Sequence, residues 1–325
     1  MNDKLGWGVI GTGMIAALQV QDLITAGSRV AAVGSRQQAG AEAFAERFGI
    51  PNRHGSYEAL VADPEVDIVY VATPHSFHAA NAHIAIEAGK HLLIEKAFTI
   101  TAEQAKGLAA AAHEKGLFVM EAMWTRFLPS MTRIMELIHE GALGTPRVLL
   151  ADHNQYIPRS KAVRLHDPAL GGGALLDLGV YPISFASCIF GRPKAVTARA
   201  TLTDEGVDEL TAVILEYESG AQASLHCGFL AAGPNTASVI GSEGRIEIRA
   251  VWYNQTGFTL YDQAGAVVEQ YSQEIEGRGM QFQAREVERC IHEGIAESSI
   301  MPLSESIEIM ETMDEIRRQV GVVYP

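Results

Sequence analysis

The sequence predicts two domains of different texture: an α/β domain with a doubly wound parallel sheet, then an α+β domain with an open, mostly antiparallel sheet. Three observations predict it. Short apolar runs alternate with amphipathic stretches up to about residue 120. That rhythm stops near Trp124. Beyond it, runs of strand-forming residues follow one another across turn signals such as Ser219-Gly220 and Glu243-Gly244.

In order, residues 5–10 read as strand, 14–26 as helix, 29–34 as strand, 38–48 as helix and 57–62 as a short helix. Then come strand 67–72, helix 76–88, strand 91–95, helix 101–115 and strand 117–121. The strands are apolar on both faces and separated by helices, which requires a parallel sheet covered on two sides. Gly89 stands where a left-handed helix cap is easiest, and Thr101 with Gln104 forms a capping box. A helix at 130–139 and a break at Gly141, Gly144 and Pro146 lead into strands at 148–156, 195–202, 210–218, 221–229, 238–240 and 245–250. A helix at 173–189 interrupts them, and helices at 281–292 and 304–320 finish the chain. In the last, Ile307, Met310, Met313, Ile316 and Val320 share one stripe. The expected division is therefore 1–123 and 124–325, with helix 304–320 packing back on the first domain.

With 325 residues, each domain is large enough for its own core. Hydrophobic residues make up 47% and charged residues 20%, the profile of a globular protein. The formal charge of −14, with no basic stripe, disfavours nucleic-acid and anionic-membrane partners and leaves small molecules. Cys188, Cys227 and Cys290 lie far apart, so neither a disulfide framework nor a cysteine zinc cluster is expected. The N-terminus carries no leader pattern, and apolar stretches break before the ~20 residues of a membrane span, so a cytoplasmic location is expected.

Gly11-Thr12-Gly13-Met14-Ile15-Ala16 follows a strand and opens a helix, the setting in which a glycine turn holds a pyrophosphate on unpaired helix N–H groups. The alternative is a tight turn with no ligand. The end of the second strand, Val33-Gly34-Ser35-Arg36, lacks the acid that would bind a free ribose and repel a 2′-phosphate. Ser35 and Arg36 suit a phosphate, so NADP(H) is the preferred cofactor with NAD(H) also used. Thr73-Pro74-His75, at the carboxyl edge of the third long strand, and His78 are placed along the cofactor path. No Cys or carboxylate beside these histidines completes a metal site, so no metal is expected. Glu95-Lys96-Ala97 ends the next strand on the same edge, where a lysine can lower a neighbour's pKa and bind a hydroxyl. Gly171-Gly172-Gly173 leads into Asp177 and Tyr181, four apart and so on one helix face. A buried tyrosine and a dipole-favoured aspartate are the bland reading of that pair.

The glycine turn, AGKHLLIEKA, EAMWTRFLP and GGGALLDLGVYPI, in this order over nearly the whole chain, resemble the Gfo/Idh/MocA family of NAD(P)-dependent oxidoreductases. The resemblance is nearest to the branch of dimeric dihydrodiol dehydrogenase, NADP-dependent D-xylose dehydrogenase and glucose–fructose oxidoreductase. It implies a Rossmann domain and a substrate domain whose sheet forms homodimers or homotetramers. It also implies that Lys96 is the family lysine and Tyr181 the acid/base. Asp177 and Trp124 would contact substrate, and Arg126 and Trp252 would border cofactor and substrate respectively. The implied reaction is hydride transfer between nicotinamide and a carbinol carbon of a sugar, polyol or cyclic diol. The alternative is a non-catalytic dinucleotide-binding regulator on the same scaffold. One departure stands out: Ala97 occupies the position where the family usually carries proline.

Overall fold

A computed structural model describes residues 4–161 and 163–325. The N-terminal part runs β1 (Gly6–Ile10), α1 (Met14–Thr25), β2 (Arg29–Gly34), α2 (Gln38–Phe48), β3 (Asn52–His54), α3 (Tyr57–Val61), β4 (Ile68–Val71), α4 (His78–Glu87), β5 (His91–Glu95), α5 (Ala102–Glu114) and β6 (Val119–Ala122). The six strands are all parallel in the order β3-β2-β1-β4-β5-β6, so the order reverses beside β1, where open α/β sheets leave a ligand crevice. Every residue of β1, β4 and β6 is buried; β1 and β4 accordingly read as unbroken apolar runs, whereas β6 buries Glu121, whose Oε1 accepts the Phe98 N–H at 3.1 Å. Thr101 Oγ1 accepts from the Gln104 N–H at 3.2 Å, while Gln104 Oε1 takes the N–H of Ile100 rather than that of Thr101.

The chain continues through α6 (Pro129–His139), β7 (Pro146–Asn154), a π-helical turn at Leu175–Gly179, α7 (Val180–Phe190), β8 (Ala195–Leu202), β9 (Asp208–Glu216), β10 (Gln222–Gly228), β11 (Ala237–Gly241), β12 (Gly244–Ile248), β13 (Phe258–Asp262), β14 (Val267–Tyr271), α8 (Gln281–Glu293) and α9 (Leu303–Val320). The eight strands order as β14-β13-β12-β11-β7-β10-β9-β8; only β7 with β10 is parallel. One face is covered by α7, and the other leaves Leu150 and Ile214 about half exposed, at 45% and 46%.

The division differs from the expected 1–123 and 124–325. Glu276–Ile307 belongs with the first unit, which otherwise ends at Trp124, and the second unit is Thr125–Ile275 with Glu308–Pro325. Side chains explain the return. Asp22 in α1 accepts the N–H groups of Arg278 (3.0 Å) and Met280 (2.8 Å), Gln283 donates to Gln19 at 2.8 Å, and Trp7 donates to Glu288 at 2.8 Å. The C-terminal helix also departs from expectation. From Glu308 onward α9 belongs to the second unit, where Gln319 bridges Ala198 N (2.9 Å) and Val196 O (2.7 Å) of β8. The segment Pro168–Phe190 is long and apolar enough to cross a bilayer, contrary to the expectation that no stretch is; most of it is interior, as befits a core helix.

Candidate active site

In the N-terminal unit the expected cofactor residues leave the carboxyl ends of β1, β2, β4 and β5. Gly11 turns the chain with φ +106, and its Cα lies so close to β4 that an added Cβ would sit 2.8 Å from the Ala72 carbonyl. Gly13 caps α1 without any side-chain hydrogen bond, the first turn of α1 holds no acid, and a Cβ on Gly13 would meet nothing within 4 Å. The first N–H groups of α1 therefore point into an open glycine cradle that fits a pyrophosphate. Thr12 and Ile15 belong to this turn, and Met14 is 81% exposed beside it. At the end of β2, Ser35 Oγ accepts from Gln37 N at 3.4 Å, and the Arg36 guanidinium lies 6.0 Å from the Phe77 ring centre.

Beyond β4, Asn81 donates to Thr73 Oγ1 at 3.1 Å, and Pro74 leads into the short 3-10 turn His75–Phe77. His75 is buried edge-on to His78. His78 is fully buried, with Nδ1 2.9 Å from Ala97 O and Nε2 2.8 Å from Thr73 O. Two carbonyl acceptors are both satisfied only by a protonated ring, and either way the imidazole ties the exits of β4 and β5 together. Glu95 is also committed inward: Tyr70 Oη donates to Oε1 at 2.5 Å and the Lys96 N–H to Oε2 at 3.2 Å. Lys96 itself emerges at the end of β5, half-buried, joined to Ala97 by a cis peptide. On the neighbouring strand Ala122 pairs with Glu95, so Met123 follows β6 level with Lys96 after β5, and Trp124 comes one residue later.

In the C-terminal unit one helix carries the candidate chemistry, and its start is pinned from below. Gly173 lies so close to Asp208 that a Cβ would meet Oδ1 at 2.3 Å. Asp208 Oδ2 accepts from Leu175 N and from Thr211 Oγ1, each at 2.7 Å, and Tyr324 Oη donates to Gly172 O at 2.5 Å. Full burial pushes the Asp208 carboxyl up to about 6 against the pull of those hydrogen bonds; burial, helped by the Asp208 charge, also raises the Tyr324 phenol. From this anchor the π turn carries Asp177, whose Oδ1 pairs with Arg164 Nη2 at 2.8 Å, and α7 carries Tyr181.

Tyr181 is 7% exposed and packs edge-on to His153 (5.0 Å between ring centres) and tilted to Tyr253 (5.5 Å). His153 stacks on Tyr253 at 3.6 Å. Its Nδ1 donates to Leu178 O at 3.2 Å, which leaves Nε2 to accept from Gln155 at 2.9 Å, and Gln155 also reaches Tyr253 Oη at 3.2 Å. Trp252, expected against substrate, is 1% exposed; its indole N–H donates to Asp152 O at 2.7 Å and its ring stacks on Phe185. The next residue, Tyr253, supplies the ring beside Tyr181. Arg126, expected at the cofactor, is buried with Nε on Ser184 Oγ (2.8 Å) and Nη2 on Ser184 O (2.7 Å) of α7. Sequence reasoning missed His153, Tyr253 and Asp208. The one available signal was a histidine on the inward-facing alternation of β7, after Leu149 and Ala151.

Comparison with known proteins places these two halves. The oxidoreductase family described by its NAD-binding Rossmann fold matches residues 5–123, and the GFO/IDH/MocA C-terminal domain matches residues 131–247. The chain belongs to the GFO/IDH/MocA oxidoreductase family. Trans-1,2-dihydrobenzene-1,2-diol dehydrogenase of Mus musculus is 34% identical over 99% of this chain and 98% of that protein; the enzyme of Danio rerio is 35% identical over 98% of each. Among solved structures, an aldose-aldose oxidoreductase of Caulobacter crescentus complexed with glycerol has a TM-score of 0.86 at 28% identity, covering 98% of both chains. KijD10, a 3-ketoreductase of Actinomadura kijaniata with NADP, has a TM-score of 0.84 at 27% identity, covering 99% of this chain and all of that one. Both sheets thus carry the family architecture.

Proposed function

We propose that this oxidoreductase moves a hydride between NADP(H), with NAD(H) also accepted, and a carbinol carbon of a sugar, polyol or cyclic diol. What supports the reading is one chain, a third identical to diol dehydrogenases throughout, that carries both a lysine at the β5 exit and a ring-packed tyrosine just after a π turn. Gly11 to Ile15 hold the pyrophosphate on the open N-terminus of α1. Ser35 and Arg36 take the 2′-phosphate, with Phe77 beneath the guanidinium. Thr73, Pro74 and His75 border the cofactor's path, backed by His78 and Glu95. When bound, the nicotinamide supplies the hydride acceptor or donor at C4.

In the oxidative direction the Tyr181 phenolate takes the substrate hydroxyl proton as the carbinol C–H bond breaks and C=O forms; in reduction the phenol returns it. The Lys96 ammonium lowers the phenol's pKa from its ordinary value near 10 and binds the same oxygen. Asp177, steadied by Arg164, orients neighbouring hydroxyls, and Trp124 and Tyr253 supply apolar faces for the C–H side of a ring. Arg126 holds α7 through Ser184. A homodimer or homotetramer forms through the outer face bearing Leu150 and Ile214, and the chain works in the cytoplasm.

Tyr181→Phe is expected to lower kcat by about 10²–10⁴ on whichever polyol, aldose or diol the wild type turns over, with NADPH affinity unchanged by fluorescence titration. Near wild-type turnover would remove Tyr181 from this role. NADPH binding with no turnover across the panel would favour the regulator.

A further inference from the structure

Glu276–Ile307 returns to the N-terminal unit, and its first turn delivers a cation there that nothing above uses. Arg278 is exposed, and its guanidinium lies 5.3 Å from the centre of the Trp124 ring. The backbone beneath it is fixed. Both carboxylate oxygens of Asp22 accept the Arg278 N–H at 3.0 Å, Oδ2 also takes the Met280 N–H at 2.8 Å, and Gln281 Oε1 takes that of Gly279 at 3.0 Å. Among the described residues no carboxylate or carbonyl engages the guanidinium. A guanidinium laid on an indole keeps its N–H edge turned outward, the geometry that grips a planar carboxylate or a phosphate.

The register says which end of the site this cation serves. Trp124 stands two residues past the end of β6 and Lys96 one past the end of the adjacent β5, and Glu95 pairs with Ala122. The glycine turn leaves β1, three strands away from β6, and Ser35 and Arg36 leave β2, four strands away. At about 4.8 Å per strand these exits stand roughly 14 and 19 Å from that of β6. Both phosphate sites of the dinucleotide are thus served elsewhere, by their own donors. The reactive lysine is the near neighbour.

We infer that Arg278, seated on Trp124, is an oxyanion subsite for a carboxylate or phosphate borne by the substrate, so that the protein takes acidic sugars in preference to neutral ones. This deepens the proposed function and rests on it for turnover but not for binding. Arg278→Gln is expected to lower kcat/KM for D-glucuronate or D-glucose 6-phosphate at least tenfold, mostly through KM. D-Glucose and NADPH should stay within twofold, and Arg278→Lys should restore part of the loss. Response to glucuronate alone assigns a carboxylate; response to the phosphate ester alone assigns a phosphate. Equal losses on neutral and acidic sugars, or a tenfold weaker NADPH affinity with no selective loss, would overturn the subsite.

A binding readout separates this inference from the reaction. Both anions are titrated into NADP⁺-loaded protein and followed by tryptophan emission. Saturation by either in the wild type and in Tyr181→Phe, abolished in Arg278→Gln, supports the subsite even where no sugar is oxidised. Unchanged affinity in Arg278→Gln, or no binding of either anion to the wild type, rejects it whatever the turnover.

Discussion

The two sheets present chemistry by different means. In the parallel sheet the candidate groups sit where strands end: Gly11, Ser35, Thr73 and Lys96 each stand one or two residues past a strand terminus, and the backbone alone brings them to one edge. The eight-stranded sheet lends strand ends as props: Asp208 opens β9, and His153 is the last residue but one of β7. Its candidate groups ride on the π turn and α7, aimed by side chains from distant places: Asp208 beneath, Tyr324 at the glycine turn, His153 and Tyr253 around the phenol. A site held by backbone direction tolerates side-chain change behind it, whereas a site held by a buried carboxylate and a few rings should lose alignment when one prop is removed.

The largest effect that sharpens this contrast belongs to Asp208. Its folded carboxyl is raised from 3.8 to about 6, so the folded state prefers the protonated form. The associated stability, about 3 kcal/mol from that shift, is fully present below pH about 4 and is lost as pH rises through about 6. Asp208→Asn should flatten this component: in urea titrations, the stability of wild type relative to the variant falls between pH 4 and 6.5. A difference that stays constant with pH would show that Asp208 is not the buried titrating prop.

A smaller effect is expected at Tyr324. Tyr324→Phe removes only the hydrogen bond to Gly172 O and should cost about 1 kcal/mol of stability, with kcat reduced a few-fold and KM for NADPH unchanged. An unaltered kcat would confine Tyr324 to stability and weaken the contrast between the two halves.

The same difference governs how much could be read from the sequence. The parallel sheet was legible because each central strand is a continuous apolar run and its chemical residues follow it directly, as Lys96 follows β5. β3 escaped because it is three polar residues, Asn-Arg-His, at a sheet edge, and β14 because its face is largely exposed and offers no alternation. In the second half Tyr181 and Asp177 were singled out as candidates by their motif. Their supports were not: Asp208 lies 33 residues beyond Leu175, and Tyr324 lies 152 beyond Gly172. Tyr253 escaped notice beside Trp252 because both adjacent rings meet α7, Trp252 on Phe185 and Tyr253 on Tyr181, and nothing in the sequence spacing marks the second. The return of 276–307 was hidden likewise, its anchor being a lone aspartate in α1.

The central claim is that Lys96 and Tyr181 act on one oxygen, and the pH profile of kcat tests it most directly. If the ammonium holds the phenol's pKa down, Lys96→Met should move the ionisation that limits kcat upward by at least one unit toward 10, alongside a loss of rate. A variant that is slower but titrates at the wild-type pH would mean that the lysine's charge does not reach the tyrosine, and the proposed pair would fall.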